Sequence, residues 1–395
     1  MSQALKLPTS AGALETYRLS GATPVQAAGG TGFNRIAYSA AHVVSDPMAA
    51  GDPWLQACID WDATIAYRRR LWSLGLGVAE AMDTAQRGMG LDWPTSLELI
   101  ARSIDAARDV PGALVASGCG TDHLPPENAR SVDDVVRAYE EQMAAIEKLG
   151  GRLIVMASRA LARVARGPED YLRVYGRILS QAREPVILHW LGEMFDPALA
   201  GYWGTSDVDR AMETALQVIA ANPSKVDGIK ISLLDKDKEI AMRRRLPAGV
   251  RMYTGDDFNY AELIAGDGWG TEPTHGRSDA LLGIFDAIAP AASAALGELA
   301  RGNLDRFHEI LGPTVPLSRH IFAAPTRFYK TGVVFMAWLN GHQDHFTMVG
   351  GQQSARSLPH LSQLFRLADA ARLLEQPELA VRRMRSLLAV HGVDA

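Results

Sequence analysis

An α/β fold, and within it a TIM (β/α)8 barrel with an N-terminal extension and additional C-terminal helices, is predicted by three features of this 395-residue chain. Short apolar runs alternate with longer stretches of helical apolar spacing. The runs lack polar alternation, as parallel strands covered by helices on both faces must. Eight can be found, enough to close a barrel whose polar strand ends gather on one face. An open doubly wound sheet is the rival architecture. GGTGF (29–33), however, leads into the first run, whereas a nucleotide-binding glycine loop leaves a strand and enters a helix.

In order, residues 1–32 read as the extension, and the barrel occupies 33–300. Its strand candidates are FNRIAYSAAHVV (33–44), LGLGVAEAM (74–82), GALVASG (112–118), RLIVMAS (152–158), PVILHWLG (185–192), VDGIKIS (226–232), GVRMYTGDD (249–257) and SDALLGIF (278–285). PWLQACIDWDATIAYRRRLWSLG (53–75) reads as a helix ending at Gly75. In 131–151, Ser131 and Asp134 supply an N-cap and a first-turn acid, and Val135, Tyr139, Met143 and Ile146 recur at helical intervals. SDVDRAMETALQVIAANPSK (206–225) repeats the device, and AELIAGDGWG (261–270) follows the seventh strand. Residues 301–395 read as a helical region, with a loop at 341–357.

The charge of -5, from 40 basic and 45 acidic residues, argues against a general nucleic-acid surface, and RRMRS (382–386) reads as a solvated helix face. GVVFMAWLNG (332–341) is too short to span a bilayer, and Cys58 and Cys119 suggest no disulfide framework. A soluble, cytoplasmic homo-oligomer that binds neither membrane nor nucleic acid is expected. Lys330 in FYKTG (328–332) is expected on a soluble or oligomer-contact face.

Lys230 is the most informative single residue. A strand-end lysine in KVDGIKIS, once buried, loses proton affinity, and its free amine attacks a carbonyl to form a Schiff base. His189, after PVIL, is the candidate general acid/base because imidazole titrates near neutrality. Asp83, Thr84, Ser158, Arg159, Ser232, Asp256 and Asp257 are candidate substrate-binding residues at the other strand ends. Local alternatives exist: Asp83 and Thr84 fit a helix-capping turn, and TGDD a capping motif.

The chain order resembles the dihydrodipicolinate synthase/N-acetylneuraminate lyase superfamily of Schiff-base aldolases, as a divergent branch, over about residues 33–320. GLGVAEAMDTAQRG (75–88) matches the segment that in the family carries glycine, two hydroxyl residues, glycine and glutamate; here Met82, Asp83, Thr84, Ala85 and Gln86 stand there. PVILHWLG matches the strand that ends in a catalytic tyrosine and asparagine, and GIKIS the strand of the imine-forming lysine. The resemblance implies an imine on Lys230, proton relay from strand five and no external cofactor. It departs from the family where His189 replaces the tyrosine. Asp83 stands where a substrate carboxylate is received, so a keto-sugar is as credible a substrate as a small oxo acid.

Two other readings use the same strand ends. Glu80, His123, Glu272 and His275 offer oxygen and nitrogen ligands for Mg, Mn or Zn in a metal-dependent sugar isomerase or lyase. A barrel that keeps its pocket without turnover would be a small-molecule sensor or assembly protein.

Overall fold

All eight apolar runs contribute strands, each parallel to its neighbours in the chain. The computed structural model describes residues 4–27, 32–82 and 86–394. Its ten strands are β1 (Ala4–Pro8), β2 (Leu14–Arg18), β3 (Ala37–Ser39), β4 (Gly77–Glu80), β5 (Val115–Cys119), β6 (Arg152–Val155), β7 (Val186–Leu191), β8 (Val226–Ser232), β9 (Arg251–Thr254) and β10 (Asp279–Leu282). Strands β3 to β10 pair in sequence, and β10 pairs back to β3, closing a barrel. Closure rules out the open sheet.

The barrel interior follows from side-chain parity. Tyr38, Ala79, Ala116, Ile154, Ile187, Tyr253 and Leu281 form its core cluster with Met82 and Met156. Bulky and vestigial residues complement one another across strands. A Cβ on Gly77 would fall 2.6 Å from the Tyr38 ring, and one on Gly228 2.7 Å from the Tyr253 ring. The two rings, 6.2 Å apart between centroids, take up the space those glycines leave.

The chain divides into two compact units: residues 35–41 with 76–283, and residues 1–34, 42–75 and 284–395. The first contains every barrel strand. In the second, β1 and β2 form an antiparallel hairpin within the predicted extension. The helix predicted over 53–75 begins only at Trp61, because Asp60 is the residue whose carboxylate accepts from Ala63 N. Helix Tyr329–Leu339 is buried along its whole length, so Lys330 is interior rather than on a surface. No helix among the described residues is long and apolar enough to cross a membrane.

Candidate functional site

Strands β7 and β8 carry the two residues on which the sequence reading turned. Every residue of β7 is buried, and His189 is the register partner of Lys230 on β8. Because side chains alternate along a strand, His189 follows the interior residue Ile187 inward. Lys230 and Ser232 follow Gly228, which faces the Tyr253 ring. Lys230 is 6% exposed, His189 3% and Ser232 2%.

Lys230 Nζ lies 4.0 Å from Met82 Sδ, a member of the interior cluster. Its stem passes over Gly255, where a Cβ would sit 2.7 Å from Lys230 Cε and 2.4 Å from Ser232 Oγ. Only a glycine at the end of the seventh barrel strand leaves that path open. His189 Nε2 is 3.3 Å from Ser232 Oγ, and Nδ1 has no hydrogen-bond partner among the described residues. Burial first, and the charge of Lys230 second, push the His189 imidazole well below its ordinary range. The ring is therefore neutral at neutral pH and holds a lone pair for a proton.

The other predicted residues are distributed as follows. Ser158 Oγ bonds Thr121 Oγ1 at 2.6 Å and caps helix Arg159–Val164 by accepting from Leu161 N. Arg159 Nε donates to Asp196 at 2.6 Å. Asp256 accepts from Phe258 N, Asn259 N and Asn259 Nδ2, so it closes the turn after β9; burial raises its carboxyl above the usual range despite those bonds. Asp257 beside it is 3% exposed. Asp83 and Thr84 lie outside the described residues. Next to them, Ala81 takes a positive φ of 49°, a conformation costly for a residue with a Cβ.

The four alternative metal ligands are engaged separately. Glu80, out of phase with the interior Ala79, accepts from Ser103 and from Ala81 N. The His123 Nδ1 bonds the Gln142 amide at 2.8 Å, Glu272 accepts from Thr274 Oγ1, and the Nε2 of His275 donates to Leu246 O. Among the described residues no group of three or more His, Cys, Asp or Glu side chains could hold a metal ion.

Several residues beyond those predicted shape this end of the barrel. Arg87, 1% exposed, reaches the carbonyl oxygens of Ala81 and Gly118, the Gln142 amide and Asp122. It ties the end of the second barrel strand to the third. Burial raises the Asp122 carboxyl, but the Arg87 charge and hydrogen bond outweigh it and hold the group below its usual range. Gly255 was visible only as part of TGDD, and Arg87 only as one base in AQRGMG; neither announces its contacts locally.

The solved structures most similar to the chain share its fold at low identity. They include a prophage protein of the dihydrodipicolinic acid synthase family from E. coli K12, in complex with pyruvate, at 13% identity and TM-score 0.64, covering 86% of this chain and 99% of that one. Dihydrodipicolinate synthase from Aquifex aeolicus aligns at 12% identity and TM-score 0.62, over 87% and 99%. The chloride-inhibited, pyruvate-bound synthase from Acinetobacter baumannii aligns at 14% and 0.60, over 86% and 99%. No curated protein matches the chain. Residues 5–393 match one family model, and the chain accordingly belongs to the family described as protein of unknown function (DUF993).

Proposed function

We propose that this protein is a Schiff-base-forming aldolase or lyase acting on a small oxo acid or keto-sugar derivative. The observation that carries the reading is a lysine 6% exposed inside a closed barrel, in register with a buried neutral histidine. The free amine of Lys230 attacks the carbonyl carbon, forming a C–N bond and a carbinolamine. The carbinolamine oxygen takes a proton and leaves as water, giving an iminium. In the cleavage direction the substrate's β-hydroxyl gives up its proton as the Cα–Cβ bond breaks. The bonding pair moves into an enamine and neutralises the nitrogen. Protonation of the enamine carbon and hydrolysis return the amine.

His189 is suited to the proton steps through Ser232, 3.3 Å from Nε2: in the tautomer with Nε2 unprotonated, the hydroxyl donates to the ring and passes on a proton taken from substrate. The fold likeness to pyruvate-bound synthases supports this chemistry by analogy. The same proposal includes a cytoplasmic location, for which the unpaired Cys58 and Cys119 speak, and a homo-oligomeric assembly.

The test is a turnover screen of hydroxylated ketones and 2-oxo acids, detecting the released aldehyde, with wild type and Lys230→Met side by side. Loss of more than about a thousandfold in the variant is expected. Undiminished turnover contradicts the reading. Reversible binding without turnover in wild type supports the non-catalytic alternative.

A further inference from the structure

Outside the barrel interior, the ends of β7 and β8 border a second space that the chemistry at Lys230 does not use. One position on from the inward His189, Trp190 points to the helix layer and is 4% exposed. There a cavity of about 210 Å³ is lined by residues drawn from 190–194, 199–211 and 233–238. A benzene ring fits in about 150 Å³, so a molecule of one or two rings has room.

The lining suits an aromatic guest. Trp190, Leu191, Leu199, Tyr202, Val208 and Leu233 give apolar surface, and Met194, 38% exposed, adds a flexible thioether of the kind that packs on ring edges. Lys238, the single cation of the described lining, is paired with Asp209 at 2.5 Å, so the cavity offers an anion no free charge. The hydroxyls of Thr205 and Ser206 can meet one polar group on the guest. Among the described residues four non-glycine residues take positive φ, and two of them, Trp203 at 70° and Leu234 at 56°, flank this lining. Such backbone persists only where its surroundings fix it, and it gathers at ligand sites.

The cavity also touches the strand end that holds Ser232. Gly192 lines it and donates its N–H to Ser232 O at 3.0 Å; a Cβ on Gly192 would overlap Met194 Sδ and fall 2.8 Å from Ser232 O. A guest that moves Met194 therefore presses on Ser232, whose Oγ is 3.3 Å from His189 Nε2. We propose that this cavity binds a small neutral aromatic molecule and that its occupancy alters reaction at Lys230 through Gly192 and Ser232. The binding stands by itself; the coupling rests on the imine reading of Lys230.

Indole serves as the probe. Calorimetric titration of the wild-type chain is expected to give one site with Kd below about 1 mM. Val208→Trp, which fills the cavity from a half-buried position, should weaken it at least about tenfold. Leu233→Trp, from the end of β8, takes its place if the first variant is unfolded. No saturable binding, or binding unchanged in a folded variant, overturns the site. Cyanoborohydride trapping of dihydroxyacetone at Lys230 should change about fivefold or more with saturating indole. An unchanged rate overturns the coupling and leaves the binding. No adduct with or without indole removes the imine reading and the coupling together, while the titration still decides the binding.

Discussion

On β7 and β8, His189 and Lys230 lie in register and the imidazole's hydrogen bond goes to a hydroxyl, that of Ser232. In the other compact unit, His42 Nδ1 lies 2.9 Å from Asp286 and Lys330 Nζ 3.8 Å from the same carboxylate. His42 and Lys330 are 0% exposed and Asp286 2%. Tyr67 adds a hydrogen bond to Asp286 O. The residue types are the same; the carboxylate between them is the difference. Burial pushes the Asp286 carboxyl up, but the charge and hydrogen bond of His42, with Lys330 behind them, hold it well below the usual range. That grouping is an ion-paired anchor. His189, in register with a lysine and bonded to a hydroxyl, is driven neutral by burial first and the Lys230 charge second, and is left able to accept a proton.

The contrast can be broken most sharply at His189. His189→Gln is expected to lower turnover by about 10²–10⁴ while reductive trapping at Lys230 persists. Equal loss of both would mean that the ring only holds the lysine in place. In the wild type, the acid limb of the pH–rate profile should lie below 6.5, the free imidazole value, because the folded group protonates only at lower pH. The same linkage makes stability fall as pH drops below 6.5, where the unfolded ring binds a proton that the folded one refuses.

At the anchor, Asp286→Ala is expected to cost about 3–5 kcal/mol in denaturant unfolding, since it removes the carboxylate that the buried Lys330 ammonium and the His42 Nδ1 both face. A loss under about 1 kcal/mol would show that the ion pair is not structural. Next in size, Gly255→Ala should slow trapping at Lys230 by about tenfold to a hundredfold and also lower the unfolding midpoint, because the added methyl would meet the Ile231 carbonyl oxygen at 2.6 Å as well as the lysine stem at 2.7 Å.

The most pH-dependent effect belongs to Glu239, 1% exposed, whose carboxyl burial pushes up to about 8 although Ser278 donates to it. In the folded chain it holds a proton that the unfolded chain releases near 4.5, so stability should fall as pH rises from 4.5 to about 8. Glu239→Gln removes that component of the slope, which a comparison of unfolding midpoints across the interval would reveal.

The barrel was legible because strands buried on both faces leave unbroken apolar runs, and strand-end positions mark one face of such a fold. Lys230 and His189 could be read for the same reason: each polar residue interrupts an apolar strand two positions beyond an inward neighbour. The hairpin of β1 and β2 was missed because β2 is largely exposed and has no apolar run to announce it. Lys330 was misplaced because the carboxylate that accounts for its burial stands 44 residues earlier, at Asp286. Asp196 on Arg159 and the glycine beneath Lys230 depend on contacts between segments far apart in the chain, where local patterning carries no signal.

The most direct test of the central claim is reduction of wild-type protein with borohydride in the presence of dihydroxyacetone, followed by peptide mapping. The account predicts one dominant adduct, on Lys230, that disappears in Lys230→Met. Adducts scattered over exposed lysines, with Lys230 unmodified, would contradict it.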